Sequence, residues 1–166
     1  NQDVELFMQF YFKTVQGIER LNEMLLQLFN ERFVTGEMAC KVIPINDKFI
    51  AINGYLEAID ESVFEKHPLA LLEVFLVLQL NASLLGIRAT TIRLIRKNLH
   101  LIDTAFRENK TANHFFIEIF RSPRGLTHEL RRMNRYGVLA AYLPDFANIV
   151  ARMQYDLFHI YTVDEH

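Results

Sequence analysis

A dense basic cluster lies near the carboxyl end of this sequence, where Arg131, Arg132 and Arg135 fall within five residues, with Asn134 among them. A guanidinium group presents a planar set of donors that matches a phosphate or a carboxylate. One hypothesis is therefore that the cluster binds a nucleotide triphosphate or the acidic face of an adjoining catalytic domain. The alternative is that these arginines form ion pairs on a helix surface with residues such as Glu129.

The histidines give a second set of groups that could do chemistry. Arg152, His159 and His166 are separated by steps of seven residues, which nearly return to the same side of a helix. His159 is interpreted as a residue of that polar face. The other four have no spacing typical of metal ligands, and we expect each to be structural or exposed; they are His67, His100, His114 and His128.

Several motifs of nucleotide chemistry are missing from the sequence. It contains no glycine-rich phosphate loop and no Asp-x-Asp pair of the kind that holds magnesium against a triphosphate. The nearest acidic cluster is Asp60-Glu61, which we interpret as a pair of acids at a helix start rather than a metal site. The chain by itself is therefore expected to bind no metal or cofactor and to be inactive.

Composition excludes further classes of function. Lys+Arg 18 against Asp+Glu 20 gives a net charge of −2, so there is no electrostatic case for nucleic acid as a main partner. Cys40 is the single cysteine, and a reducing compartment such as the cytoplasm fits best, with a buried or inert thiol. No apolar run reaches the roughly 18 residues of a membrane span, and no signal peptide opens the chain.

The elements that position these groups are predicted to be mainly helical. The first helix is expected over residues 3–33. Extra apolar side chains lie outside its core face, at Met8, Phe10 and Phe12, and we hypothesise that a neighbour preceding residue 1 packs against them. The predicted core face consists of Phe7, Tyr11, Val15, Ile18, Leu21, Leu25 and Leu28.

One β-hairpin is predicted near residues 48–58, because Asn53-Gly54 stands between two β-prone runs. Pro44 indicates that residues 42–45 form an edge or irregular piece. Further helices are expected over residues 68–84, 89–106, 111–120 and 126–136, with Gly137 ending the last of these, and with brief segments at residues 61–65 and 138–143. The predicted fold is a compact multi-helix bundle of about six or seven helices with one small hairpin.

The last predicted helix covers residues 144–166 and has about six turns. Pro144 and Asp145 suit a helix start, and apolar residues recur at helical spacing up to Tyr161. Asp164 would lie inside that apolar arc, where an unpaired carboxylate is costly. Either the helix loosens there, or a domain outside this chain supplies a partner for Asp164.

These runs resemble a known family. RRMNRYGVL at residues 131–139, AYLPDF at 141–146 and QYDLFHIYTVDEH at 154–166 are similar to the bifunctional uridylyltransferase/uridylyl-removing enzymes, in the region leading into their HD domain. FMQFYFKTV at 7–15, RLNEMLLQLF at 20–29 and GIRATTIRLIR at 86–96 extend the similarity over nearly the whole chain.

The resemblance implies transfer of UMP from UTP to the P-II signal protein, and its hydrolytic removal, with magnesium or manganese in the intact enzyme. It implies that residues 1–157 link a nucleotidyltransferase domain to an HD domain, and that residues 158–166 begin the HD domain. His166 matches the first histidine of the HD signature, a metal ligand in the intact domain. One imidazole cannot hold a metal alone, since three or four ligands are needed. The expected role here is non-catalytic: structural, or a lid over the nucleotide.

A second hypothesis is a stand-alone helical domain that binds a protein partner through its apolar first helix and its arginine cluster. The flanking sequence discriminates between the two. A His-Asp pair after His166 and an Asp-x-Asp before Asn1 would support the first.

Overall fold

The computed structural model describes residues 2–29, 41–123, 125–152 and 162–164. In these ranges the chain is mainly helical, with nine α-helices and a small four-stranded sheet, which confirms the predicted class. The helices are α1 (Gln2–Phe29), α2 (Val63–Lys66), α3 (Ala70–Leu80), α4 (Ala89–Lys97), α5 (Thr104–Glu108), α6 (Lys110–Arg121), α7 (Leu126–Tyr136), α8 (Val138–Tyr142) and α9 (Pro144–Ala147). The strands are β1 (Val42–Pro44), β2 (Phe49–Ile52), β3 (Tyr55–Ala58) and β4 (Gly86–Ile87).

The predicted hairpin is confirmed as β2 and β3. They pair antiparallel, with Ile52 opposite Tyr55. Asn53 and Gly54 both have positive φ, at 51° and 84°, as a tight turn that matches the strand twist requires. The sheet extends beyond the hairpin in the order β1-β2-β3-β4, with β4 parallel to β3. The expected edge piece at residues 42–45 is the edge strand β1.

The core is built around α3, whose side chains are apolar on nearly every side. Phe75 is fully buried, and its ring lies 6.3 Å from that of Tyr136 on α7. A helix that is apolar all round needs cover on all sides, and α3 packs against α2, α6 and α7. The apolar spacing within residues 68–84 predicts that Leu80 also faces inward, and this prediction is wrong, because the Leu80 side chain at the end of α3 is 70% exposed.

The prediction of one helix over residues 89–106 is wrong. The chain instead forms α4, a single 3-10 turn at Leu99–Leu101, and α5. Asn98 ends α4, with its side-chain amide donating to the Leu94 carbonyl at 3.0 Å. Asp103 starts α5 by accepting from the Phe106 N–H at 2.8 Å. Short polar side chains of this kind compete with the helix for backbone groups, which explains two elements where one was expected and part of the larger helix count.

The prediction of one long helix over residues 144–166 is wrong in the part of that range that the structure describes. Only α9 is helical, and turns follow over residues 148–151. Ala151 has φ +59°, a left-handed conformation that cannot continue a right-handed helix. The Val163 N–H then donates to the Arg152 carbonyl at 2.7 Å, so the chain comes back beside itself. The apolar positions of this prediction from 153 to 161 lie outside the described residues.

The orientation of α1 also contradicts the prediction. Of the seven residues expected to face the core, Val15 is half-buried and the other six are exposed. The opposite side of α1 faces the body of the protein. The prediction failed because periodicity shows which residues share a face, and the face that meets the rest of the chain depends on contacts distant in sequence.

Candidate functional site

Helix α7 carries the arginine cluster. It begins after Gly125 and ends at Gly137, both with positive φ, and Gly137 is the helix stop that was predicted. Within the helix, Arg131 is exposed, the Arg135 side chain is 48% exposed and the Arg132 side chain is 14% exposed. The three guanidinium groups therefore do not form one uniform surface, because Arg132 is sheltered.

Arg132 is held by an ion pair within α7. Its Nη1 donates to Glu129 Oε1, and its Nη2 lies 2.9 Å from His128 Nε2, which must act as the acceptor. Glu129 is buried, and burial raises the pKa of its carboxyl group while the adjacent Arg132 opposes that rise. The alternative hypothesis for the arginine cluster expected an ion pair with Glu129, but on the helix surface, whereas both side chains of this pair are sheltered. The positive charge of Arg132 is therefore largely neutralised by Glu129 within the protein.

Arg135 instead connects α7 to α1. Its Nη1 donates to Glu23 Oε2 at 2.9 Å, and its carbonyl accepts from Arg20 Nη1 at 3.4 Å. The pKa of Arg20 is lowered by burial and by two nearby guanidinium groups, Arg96 and Arg135. Three arginines from α1, α4 and α7 therefore lie in one neighbourhood, where the carboxylates of Glu19 and Glu23 partly offset their positive charge.

A cleft of about 250 Å³ lies beside the ion pair of Arg132 with Glu129, between α1 and the edge of the sheet. Arg132 and Tyr136 line one side of it. Burial strongly raises the pKa of the Tyr136 phenol, so this group stays protonated at neutral pH. The cleft thus offers one neutralised cation and a hydroxyl donor. The other lining residues are Glu23, Met24, Leu26, Gln27, Tyr55, Leu85, Gly86, Ile87 and Ile92.

Asp164 is a site residue whose partners were not predicted. Its Oδ1 accepts from the Ala151 N–H at 2.8 Å, and its Oδ2 accepts from Asn134 Nδ2 at 2.8 Å and Gln16 Nε2 at 3.3 Å. The first of the two alternatives for this carboxylate is therefore correct, since the chain is not helical around it. One side chain joins α1, α7 and the turn after α9.

Removing this carboxylate is expected to release the turn. We predict that Asp164→Ala lowers stability by about 1.5–3 kcal/mol, the usual contribution of hydrogen bonds to a charged group. Exchange of the Ala151 amide hydrogen should rise more than that of the core helices, because the opening is local. The control is Asp145→Ala at the exposed start of α9, which should change stability by less than about 0.5 kcal/mol. Equal effects of the two changes would contradict the role of Asp164.

The remaining candidates are resolved in part. Asp60 accepts from the Ser62 N–H and hydroxyl just before α2, and these hydrogen bonds lower the pKa of its carboxyl group, as suits an acid near a helix start. Four histidines were expected to be structural or exposed, and the structure shows that each is exposed; they are His67, His100, His114 and His128. Cys40, His159 and His166 lie outside the described residues. Within the described ranges, no three His, Cys, Asp or Glu side chains lie together as a metal site.

The attachment of α1 through polar side chains was missed from the sequence, although a signal existed. Gln9, Gln16 and Gln27 fall on one side of the helix at 100° per residue, together with Arg20. Gln9 Nε2 donates to the Val150 carbonyl and Gln27 Nε2 to the Ile87 carbonyl, each at 3.1 Å. A row of glutamines along a helix thus marked the face that binds backbone groups.

Among the described helices, none is long and apolar enough to cross a membrane.

The fold and these contacts define a helical domain whose polar groups bind its elements to one another around a small sheet. The chain belongs to the family described as the third domain of the uridylyltransferase GlnD, whose family model matches residues 49–142. That range covers the hairpin and helices α2 to α8.

Similar curated proteins extend the match to both ends of the chain. The bifunctional uridylyltransferase/uridylyl-removing enzyme of Methylococcus capsulatus is 63% identical over 166 residues, covering 100% of this chain and 19% of that enzyme. The enzymes of the same name from Nitrosococcus oceani and Azotobacter vinelandii are 55% and 49% identical over 163 residues, 98% of this chain and 18% of each enzyme. The chain therefore spans about a fifth of the length of these relatives. No solved structure matches it.

Proposed function

We propose that this chain is a non-catalytic domain of a larger enzyme that transfers UMP from UTP to the P-II signal protein and removes it by hydrolysis. Residues 1–157 would link a nucleotidyltransferase domain to an HD domain, and residues 158–166 would begin the latter. Family membership and the name shared by the relatives support this proposal. The single cysteine, Cys40, supports a cytoplasmic location.

The observation that supports the non-catalytic role is that three sheltered acidic side chains bind other groups of this same domain. Glu57 accepts from Arg88 Nη1 and from Thr90 Oγ1, which ties β3 to the start of α4. Glu129 is paired with Arg132, and Asp164 accepts three hydrogen bonds. These three acids hold this domain's own elements in place, as a domain that positions its neighbours requires.

A role as a lid over the nucleotide is the second part of the proposal. Arg131 and Arg135 are exposed on α7 and suit a phosphate, with Arg135 also donating to the half-exposed Glu23, whereas the sheltered Arg132 is paired with the buried Glu129. Magnesium or manganese would serve the intact enzyme. His166 would supply one ligand to the HD metal, so two or three further ligands must come from other residues.

The lid role is tested by steady-state kinetics of the whole enzyme. The substitution Arg135→Ala, made at the aligned position of the Methylococcus capsulatus enzyme, should raise the KM for UTP several-fold with little change in kcat, because a binding contact to the triphosphate is lost. The control is the position aligned with Arg121, an exposed arginine on α6 that is paired with Glu118. An unchanged KM for UTP at the Arg135 position contradicts the lid.

The non-catalytic role is tested on the chain alone. Incubated with radiolabelled UTP and P-II, or with uridylylated P-II and manganese, it should give neither transfer nor release of UMP. The whole enzyme is the positive control. Turnover by the chain alone overturns the proposal, and so does full activity in an enzyme that lacks this region.

The alternative function is a stand-alone domain that binds a protein partner through α1. The exposed apolar face of α1 is the observation that favours it. A flanking His-Asp pair and Asp-x-Asp in the gene would support the first function over this one.

A further inference from the structure

Helix α1 turns its apolar side away from the protein. Phe10 is 71% exposed, and eight other large apolar side chains on the same side are 39% to 65% exposed. An amphipathic helix normally buries such a stripe, and a continuous exposed apolar surface indicates a place of contact. The other side chains are Leu6, Phe7, Tyr11, Ile18, Leu21, Leu25, Leu28 and Phe29. We call these nine residues the outer face of α1.

The inner face of α1 is polar and is already occupied. Gln9, Arg20 and Gln27 donate to backbone carbonyl groups of the body, and Gln16 donates to Asp164. These four contacts fix the rotation of α1 about its axis, so turning the outer face inward would break all of them. The outward orientation of the apolar face is therefore a property of how this helix is bound.

The chemistry of the outer face restricts what can cover it. By helical geometry Asp3 is the charged residue on this side and lies near the amino-terminal end, and Thr14 uses its hydroxyl to bond the Phe10 carbonyl. A surface without charge along most of its length suits an apolar protein surface and not a polyanion. The helix has 28 residues and is about 42 Å long, enough for a standard interface.

We propose that the outer face of α1 packs against an apolar surface of the domain that precedes this one in the same polypeptide. The family model starts at Phe49, so α1 lies before the unit that the model describes. The description of that unit as a third domain places other domains before it. The relatives nevertheless align with α1 and are about five times longer than this chain. The helix is thus shared by the relatives, lies outside the third-domain unit, and presents its apolar side away from it.

This inference rests on family membership and on the geometry of α1. It does not depend on the uridylylation chemistry or on the role of the arginines. Its test therefore uses accessibility rather than activity, and the proposed function can fail while the docking surface stands.

The experiment measures thiol labelling at two matched positions. Phe10→Cys probes the outer face, and Leu80→Cys is the control, because Leu80 is 70% exposed on α3 inside the matched family region. Both changes are made in this chain and at the aligned positions of the whole Methylococcus capsulatus enzyme. Labelling with a maleimide is followed peptide by peptide by mass spectrometry, which separates these thiols from native cysteines. Ile18→Cys is a second probe of the outer face if Phe10→Cys fails to fold.

In this chain the two thiols should react at similar rates. In the whole enzyme the thiol at the Phe10 position should react at least about tenfold more slowly than in this chain, because it is accessible only when the domains open. The Leu80 position should keep its rate. Unchanged labelling at the Phe10 position overturns the proposal, as does equal slowing at both positions. If the Phe10→Cys thiol of this chain alone reacts more slowly as the protein concentration rises, the outer face of α1 is covered by a second copy of the chain. That result also overturns the proposal.

Discussion

Replacing Phe75 with alanine is expected to lower the free energy of unfolding by about 3–5 kcal/mol, the cost of removing a large buried side chain and leaving a cavity. Phe75 is fully buried at the centre of α3 and packs near Tyr136. Helix α3 packs against α2, α6 and α7, so the structure cannot collapse easily around the gap. Urea denaturation monitored by circular dichroism measures the change.

The control for this prediction is Phe7→Ala, which removes the same side chain from α1. Phe7 was assigned to the core by its periodicity but is 65% exposed. Its loss should change the stability of this chain by less than about 0.5 kcal/mol. Comparable destabilisation by the two substitutions would show that α1 packs with its apolar side inward, against the structure described here.

Replacing Arg132 with alanine is expected to destabilise the chain by about 3–5 kcal/mol, because it leaves the buried Glu129 without its cation. Glu129 is 4% exposed, and its Oε2 has no hydrogen-bond partner among the described residues, so the ion pair with Arg132 is its principal compensation. Denaturant unfolding at neutral pH measures the loss. The exposed Arg121→Ala, which breaks a surface pair with Glu118, should cost less than about 1 kcal/mol.

The loss caused by Arg132→Ala should depend on pH. Burial raises the pKa of Glu129, and removing Arg132 raises it further. A carboxyl group with a raised pKa binds its proton more tightly in the folded protein, so it destabilises the fold above that pKa and ceases to do so below the pKa of the unfolded chain. The stability difference between variant and parent should therefore shrink as the pH falls through the folded pKa. In a Glu129→Gln background this dependence should vanish; if it persists, Glu129 is not its source.

Local signals in the sequence were sufficient where a short segment determines its own conformation. The Asn53-Gly54 pair fixed the hairpin, since few other pairs accept two positive φ values at no steric cost. Gly125 and Gly137 bounded α7, and the predicted limits of that helix are those observed. The basic cluster was recognised from its composition. Its division into a sheltered Arg132 and an exposed Arg135 was not, because that depends on how α7 packs.

Contacts between distant parts of the chain decided the rest. The apolar period of α1 was interpreted correctly as one face, but hydrogen bonds as far away as Val150 determined that this face points outward. The last predicted helix had a continuous apolar pattern, yet Asp164 holds Ala151 in a left-handed turn across 13 positions. In both cases side-chain hydrogen bonds to distant backbone groups overrode local periodicity.

The small sheet has a consequence for self-association. Its two outer strands are β1, three residues long and ending in Pro44, and β4, two residues long. A strand edge recruits other molecules when it is long and offers a row of free backbone groups, and short edges that carry proline avoid this kind of aggregation. This domain should therefore resist edge-to-edge polymerisation, and we expect its associations to be made by helix packing.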